Sequence, residues 1–269
     1  MLYNAVNGAI PIDNTEMDYI AFGNGDRHLV MIPGLGEGLQ SIKGTAMAFA
    51  LMYRKLAERY TVHVFSRRKV MPVDFTTRDI AEDIRYAMDA LEIPKACVIG
   101  ISLGGMIVQH LAIDHPERVE KLILCVTIPY KNDALVSSLT GWIHMARRGD
   151  FGELMEDTAE KSYTQERLKT MRSVYRASGA LVREKYVPRF ITMARAGIAH
   201  DASAGLHRIT CPTLIIGGRQ DKIVTGEASE VLHRLIPGST LYMYEDYGHG
   251  LYEEAPDFID RVIDFFGSY

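Results

Sequence analysis

The stretch Ala96-Cys97-Val98-Ile99-Gly100-Ile101-Ser102-Leu103-Gly104-Gly105-Met106 leaves a chain few ways to fold. Val98 to Ile101 is a β-branched apolar run, the pattern of a strand buried on both faces. A helical run, Met106 to Ala112, begins almost at once. A strand that becomes a helix within about two residues must bend sharply, and glycines on both sides of the bend remove the side chains that would clash. The bend would lift the hydroxyl of Ser102 above the sheet at the amino end of a helix. An ordinary tight turn with serine as helix N-cap has the same letters, so the rest of the chain has to decide.

From His28 to Val126 strand-like and helix-like runs alternate. His28 to Ile32, Thr61 to Phe65, Val98 to Ile101 and Val119 to Val126 read as strands; Thr45 to Arg59, the stretch opened by Thr77, and Met106 to Ala112 read as helices. That rhythm predicts a parallel sheet with helices on both faces and right-handed crossovers. Two antiparallel edge strands are expected before it, Leu2 to Val6 and Glu16 to Phe22, with Asn7-Gly8 and Asn24-Gly25 as turns. The rhythm stops from Tyr130 to about Arg208, where four helical stretches rich in Arg, Glu and Met follow one another. It resumes with strands at Thr213 to Gly217 and Thr240 to Tyr244. The expected organisation is therefore a core of residues 1–129 and 209–269, about eight strands in all, with a helical cap inserted at 130–208. Trp142, Tyr130, Tyr163 and Tyr175 are candidates to line a pocket under it, or simply to form its core.

Functional groups in such sheets gather at the carboxyl ends of the strands. Asp221 follows the strand ending at Gly218, and His249 lies in Gly248-His249-Gly250 after the last strand. Of nine histidines only His249 occupies a glycine-flanked loop at that edge; His110 and His115, which follow the serine, read as surface residues. Asp246 is the rival acid, but it is only three residues from His249 and poorly placed to reach it. A serine hydroxyl needs a base to attack a carbonyl, and a base needs a carboxylate to fix its tautomer, so Ser102, His249 and Asp221 form a candidate catalytic triad. Activity is then expected to rise with pH through the imidazole range, about 6 to 7.

The order nucleophile, acid, base, together with Gly100-Ile101-Ser102-Leu103-Gly104-Gly105-Met106, His115-Pro116-Glu117-Arg118-Val119, Gly217 to Asp221 and Gly248-His249, resembles the α/β-hydrolase superfamily nearly end to end. The resemblance is greatest to small serine esterases, cofactor-free haloperoxidase-like hydrolases and enol-lactonases. It implies the α/β-hydrolase fold, no cofactor, a small ester, thioester or lactone as substrate, and an oxyanion hole made by the backbone N–H groups of Leu35 and Leu103. Ser at position 102 sets the chain apart from the dehalogenases and epoxide hydrolases of this fold, whose nucleophile is aspartate; Leu103 sets it apart from proline iminopeptidases, which have tryptophan there. Carbon–carbon hydrolases, acyltransferases and non-catalytic receptors on the same fold remain open. Two segments depart from the family pattern: Pro33-Gly34 where His-Gly is common, and Ser66-Arg67-Arg68-Lys69 where an Asp-x-Arg-Gly loop is common.

Composition narrows the remaining classes. A net charge of −4 offers no electrostatic footprint for nucleic acid. No run of 18 apolar residues is present, so no membrane span is expected, and with no basic residue before Arg27 no signal peptide is expected. Cys97, Cys125 and Cys211 are odd in number and unclustered, which reads as reduced core thiols in a cytoplasmic protein without a metal site. The inserted segment carries Arg147, Arg148, Arg172, Arg176, Arg183, Arg189 and Arg195, which leaves an acidic acyl group open. A homo-oligomer is neither required nor excluded.

Overall fold

The computed structural model describes residues 2–267. Eight strands, β1 (Val6–Ile12), β2 (Thr15–Phe22), β3 (Arg27–Ile32), β4 (Tyr60–Arg68), β5 (Ala96–Ile101), β6 (Val119–Cys125), β7 (Thr213–Gly218) and β8 (Thr240–Tyr244), form one sheet. Their order is β1-β2-β4-β3-β5-β6-β7-β8. β2 pairs antiparallel with both neighbours and every other pairing is parallel.

Among the described residues eleven α-helices accompany it: α1 (Ala46–Met52), α2 (Arg54–Ala57), α3 (Thr77–Ala90), α4 (Leu103–Asp114), α5 (Asp133–Arg148), α6 (Phe151–Ser162), α7 (Gln165–Ser178), α8 (Val187–Ile198), α9 (Gly226–Leu235), α10 (Leu251–Glu254) and α11 (Phe258–Gly267). One apolar core, holding Ile80 and Ile84 of α3, Met106 and Ile107 of α4 and Leu232 of α9, covers one face of the sheet. A second, holding Ala46, Leu56, Val262 and Phe266, covers the other. With both faces covered, the central strands need no polar side, and β5 is buried at every residue. α4 is buried from Leu103 to Ile113, and apart from Gln109 and His110 that run is apolar on every side.

Several boundaries differ from the sequence reading. The first hairpin turns at Asp13-Asn14, while Asn7 and Gly8 lie inside β1. The Asn7 side chain accepts from the Gly44 N–H at 2.7 Å, so its polar group serves a neighbouring loop instead of a turn. Of the two strands expected at the edge only β1 is there, because β2 pairs with β4 on its other side; β8 is the opposite edge. The helix expected over Thr45–Arg59 is broken at Tyr53. Thr76, not Thr77, caps α3, through a reciprocal capping box with Asp79. β4 runs on through Ser66, Arg67 and Arg68, since the antiparallel β2 continues the ladder to Met17↔Arg68.

α5 to α8, with short 3-10 turns at Gly179–Leu181, Glu184–Tyr186 and Leu206–Arg208, lie between β6 and β7. Its two ends meet in an isolated bridge between Tyr130 and Asp201, reinforced by the Ala202 N–H donating to the Pro129 carbonyl at 2.9 Å. Leu135, Leu139, Trp142 and Met193 of this segment pack into the same core as Leu103 and Met106. Among the described residues no helix is long and apolar enough to cross a membrane, and no group of three or more His, Cys, Asp or Glu is placed to hold a metal ion. Cys97, Cys125 and Cys211 are all free thiols.

Candidate functional site

Between β5 and α4, Ser102 adopts φ 55° and ψ −120°. A non-glycine residue in that region costs roughly 1–3 kcal/mol and persists only where its surroundings enforce it. Here the Ser102 N–H donates to the Cys125 carbonyl at 2.9 Å, and Thr127 Oγ1 donates to the Ser102 carbonyl at 2.8 Å. α4 starts so close to β3 that a Cβ at Gly104 would lie 2.0 Å from the Ile32 carbonyl oxygen. Only glycine permits that approach. A Cβ at Gly34 would lie 3.3 Å from the Ser102 Cβ, which sets the turn after β3 directly against the serine.

Asp221 leaves the carboxyl end of β7 and His249 the loop after β8, and both side chains are buried. His249 Nε2 lies 2.8 Å from Ser102 Oγ. His249 Nδ1 lies 2.7 Å from Asp221 Oδ2. The other oxygen, Oδ1, accepts from the backbone N–H groups of Ile223 and Val224 at 2.8 and 3.0 Å, so the carboxylate is held in place and its lone pairs are used. An anionic acceptor beside Nδ1 keeps a proton on that nitrogen and leaves Nε2 free to accept from the hydroxyl. Asp246 is exposed and makes no bond to His249.

Ser102 opens into a small enclosed cavity of about 20 Å³. Leu35, Leu103, Met106 and Ile223 line it from the core side, and Leu135, Leu139, Trp142 and Met193 from the helical segment. Leu35 and Leu103, read from sequence as the oxyanion donors, therefore both flank the serine. Tyr130, Tyr163 and Tyr175 do not line this cavity; Tyr163 stacks on Tyr175 and its hydroxyl donates to Glu253 at 2.9 Å. Nor does any of the seven arginines line it. Arg148, Arg172 and Arg176 are paired with Asp150, Glu160 and Glu156, Arg147, Arg183 and Arg195 are exposed, and Arg189 is buried against Glu37.

Sequence reasoning missed three groups near the site. Thr127 anchors the elbow, and only the adjoining Gly105, whose Cβ would strike the Thr127 side chain, hints at the contact. Glu37, Ser66, Arg67 and Arg189 form a buried charged cluster beside the Leu35 turn; the sequence marks Ser66-Arg67 only as a departure from the family pattern and Arg189 only as a cap arginine, and a charged residue ordinarily reads as surface, so nothing local shows that they are buried together. His110, read as a surface residue, is buried, with its ring perpendicular to that of His200 at 5.2 Å between centroids. It lies on α4, whose residues are buried from Leu103 to Ile113, so His110 and the neighbouring Gln109 go inside with the apolar residues around them.

Residues 27–256 match the family model described as alpha/beta hydrolase fold. The chain is similar to a 2-hydroxymuconate semialdehyde hydrolase of Pseudomonas sp. strain CF600, at 29% identity over 88% of this chain and 86% of that one. It is similar to a 3-oxoadipate enol-lactonase of Acinetobacter baylyi, at 25% identity over 86% of each. A solved α/β hydrolase enzyme from a Medee basin deep-sea metagenome library superposes with a TM-score of 0.86 at 17% identity, covering 97% of this chain and 98% of that one, a likeness of fold.

Proposed function

The chain belongs to the α/β hydrolase fold family, and from that premise we propose that it is a serine hydrolase that cleaves a small ester, thioester or lactone with an uncharged acyl group. The observation that carries the reading is the unbroken relay from Ser102 Oγ through His249 to Asp221, at 2.8 and 2.7 Å. In this reading Ser102 Oγ attacks the substrate carbonyl carbon while His249 Nε2 takes its proton. Asp221 holds the ring in the required tautomer and stabilises the imidazolium that forms. The backbone N–H groups of Leu35 and Leu103 receive the oxyanion. Collapse of the tetrahedral intermediate expels the leaving oxygen or sulfur with the proton from His249. Water then attacks the acyl-enzyme by the same route in reverse, releasing the acid and restoring the serine.

Residues 130–208 act as a cap that excludes water and sets substrate choice. The neutral acyl group follows from the cavity lining, where a carboxylate would be desolvated with no cation to meet it. The three free thiols suit a reducing compartment, the cytoplasm.

A serine-directed fluorophosphonate tests the reading. It is expected to label the wild type at one site and to leave Ser102→Ala unlabelled, and the wild type is expected to turn over p-nitrophenyl acetate. Absence of label on the wild type, or label that persists in Ser102→Ala, overturns it. Non-catalytic receptors on this fold differ at that same point.

A further inference from the structure

The turn that carries Leu35 is gripped by buried charges that the reaction above does not use. Glu37 and Arg189 each retain 2% side-chain exposure, and Arg67 is 1% exposed. Two guanidinium groups against one carboxylate leave a positive charge in surplus inside the protein, which is costly unless hydrogen bonds satisfy it. Burial pushes the Arg67 guanidinium down to about 10, with Glu37 opposing the fall and Arg189 adding to it. It remains protonated at neutral pH.

The donors converge on one segment. Arg67 Nη2, from β4, donates to the Pro33 carbonyl at 2.5 Å. Arg189 Nη2, from α8, donates to the carbonyls of Glu37 and Gln40 at 2.8 and 2.6 Å. Glu37 Oε1 accepts from Ser66 Oγ and stands 3.3 Å from Arg189 Nη2, so the acid is tied to both strand and helix. Carbonyls at both ends of the segment 33–40 are thus drawn toward fixed cations. A peptide unit is planar and its C=O and N–H point opposite ways, so pinning a carbonyl orients the N–H on the other side of the same unit. The pinned Pro33 carbonyl shares its unit with the Gly34 N–H, and the unit that carries the Leu35 N–H follows directly after it; a Cβ at Gly34 would lie 3.3 Å from the Ser102 Cβ, so this end of the turn stands against the serine.

We propose that Arg67 and Arg189 are positioning residues that brace the Pro33–Gln40 turn between β4 and α8, so that the Leu35 N–H meets the oxyanion; this rests on the serine-hydrolase reading above. Neither side chain touches the substrate. Arg189 also ties that turn to α8, whose Met193 lines the cavity, so the cap and the oxyanion turn are set by one contact network.

The test is steady-state hydrolysis of p-nitrophenyl acetate by the full-length protein, with kcat expressed per site labelled to completion by fluorophosphonate. A displacement of about 1 Å in a reacting geometry costs about 100-fold, so Arg67→Met and Arg189→Met are each expected to lose about 10- to 100-fold in kcat with KM within about threefold. Arg67→Lys, which keeps the charge and one donor but not the planar fork, is expected to recover part of the loss. The pH dependence of the remaining activity is expected to match wild type, because His249 and Asp221 are untouched. Arg148→Ala, on an exposed pair with Asp150, is the neutral control. A kcat per labelled site equal to wild type, even with a lower melting temperature or fewer labelled sites, overturns the brace and leaves a purely structural cluster. A loss confined to KM also overturns it. If Arg67→Met does not fold, Arg67→Lys decides, and wild-type kcat in that variant counts against the proposal. A wild type that takes no label overturns the serine-hydrolase reading itself, and the brace with it; a labelled wild type with unaffected variants overturns the brace alone.

Discussion

Two buried histidines in this protein each meet a hydroxyl at nearly the same distance. His249 Nε2 lies 2.8 Å from Ser102 Oγ, and His200 Nδ1 lies 2.9 Å from Thr77 Oγ1. Their second nitrogens differ. His249 faces the Asp221 carboxylate at 2.7 Å, whereas His200 faces the Gln109 amide oxygen at a loose 3.4 Å. A carboxylate can stabilise a proton gained by the ring; an amide oxygen can only orient it. Burial, reinforced by His110, pushes His200 down to about 3, so it stays neutral across the physiological range. The hydroxyls differ as well. Ser102 stands on a strained elbow facing a cavity, while Thr77 opens α3 and is itself buried. A hydroxyl beside an imidazole is thus no mark of a nucleophile; the carboxylate behind the ring and the space in front of the oxygen make the difference.

The sharpest break between the two pairs is chemical. Ser102→Ala is expected to lower kcat by about 10⁴-fold or more, and Asp221→Asn by about 10⁴-fold, with folding retained. Thr77→Val and His200→Gln are expected to leave kcat within about twofold while costing about 1–3 kcal/mol in denaturant unfolding, the usual penalty for an unsatisfied buried polar group. A large rate loss in either of the second pair, or in Asp246→Asn at the exposed rival acid, would reverse the assignment.

Acid separates them next. His110 and His63 are pushed down to about 4 by burial, with Arg78 and His28 respectively as the next cause, and His200 lies lower still. Each folded-state value lies below the value of about 6.5 in an unfolded chain, so the unfolded state binds more protons at acid pH. The stability these neutral rings contribute is fully present above about pH 6.5 and is lost as pH falls toward 4 and 3. Urea unfolding between pH 7 and 4 is expected to show this decline, and His110→Asn is expected to flatten it. An unchanged slope in that variant would place the acid sensitivity elsewhere.

Smaller effects probe what surrounds Ser102 and His249. Leu139→Ala enlarges the cavity, and one methylene in an apolar pocket is worth about 10-fold or more in discrimination. The ratio of butanoate to acetate hydrolysis is therefore expected to rise by about that factor, with little change for acetate. Equal losses for both esters would argue against a selectivity role for the helical segment. Leu35→Ala and Leu103→Ala are expected to be mildest, within about tenfold in kcat, because the proposed donors there are main-chain N–H groups.

How much of this was legible depended on the range of the interaction. The elbow and every strand but the first were readable because β-branched runs and glycines act within a few residues; the first, expected over Leu2 to Val6, runs from Val6 to Ile12. The interior placement of β2 and the extension of β4 to Arg68 were not readable, since each is set by pairing with distant chain; the break at Tyr53 carries no Gly or Pro to announce it. The helical segment was visible as a loss of strand rhythm. Which of its aromatics reached the serine was not, and of the four considered only Trp142 did.

By itself, the sequence determined the succession of strands and helices and the placing of Ser102, Asp221 and His249 after strand ends, because apolar periodicity and backbone strain are written locally. Tertiary structure decided which histidine met which acid across 28 residues and which serine across 147. It also decided that Glu37 and Arg189, 152 residues apart, would be buried together beside the Leu35 turn. A charged side chain is normally solvated, and only the partners brought to it by the fold can make its burial tolerable.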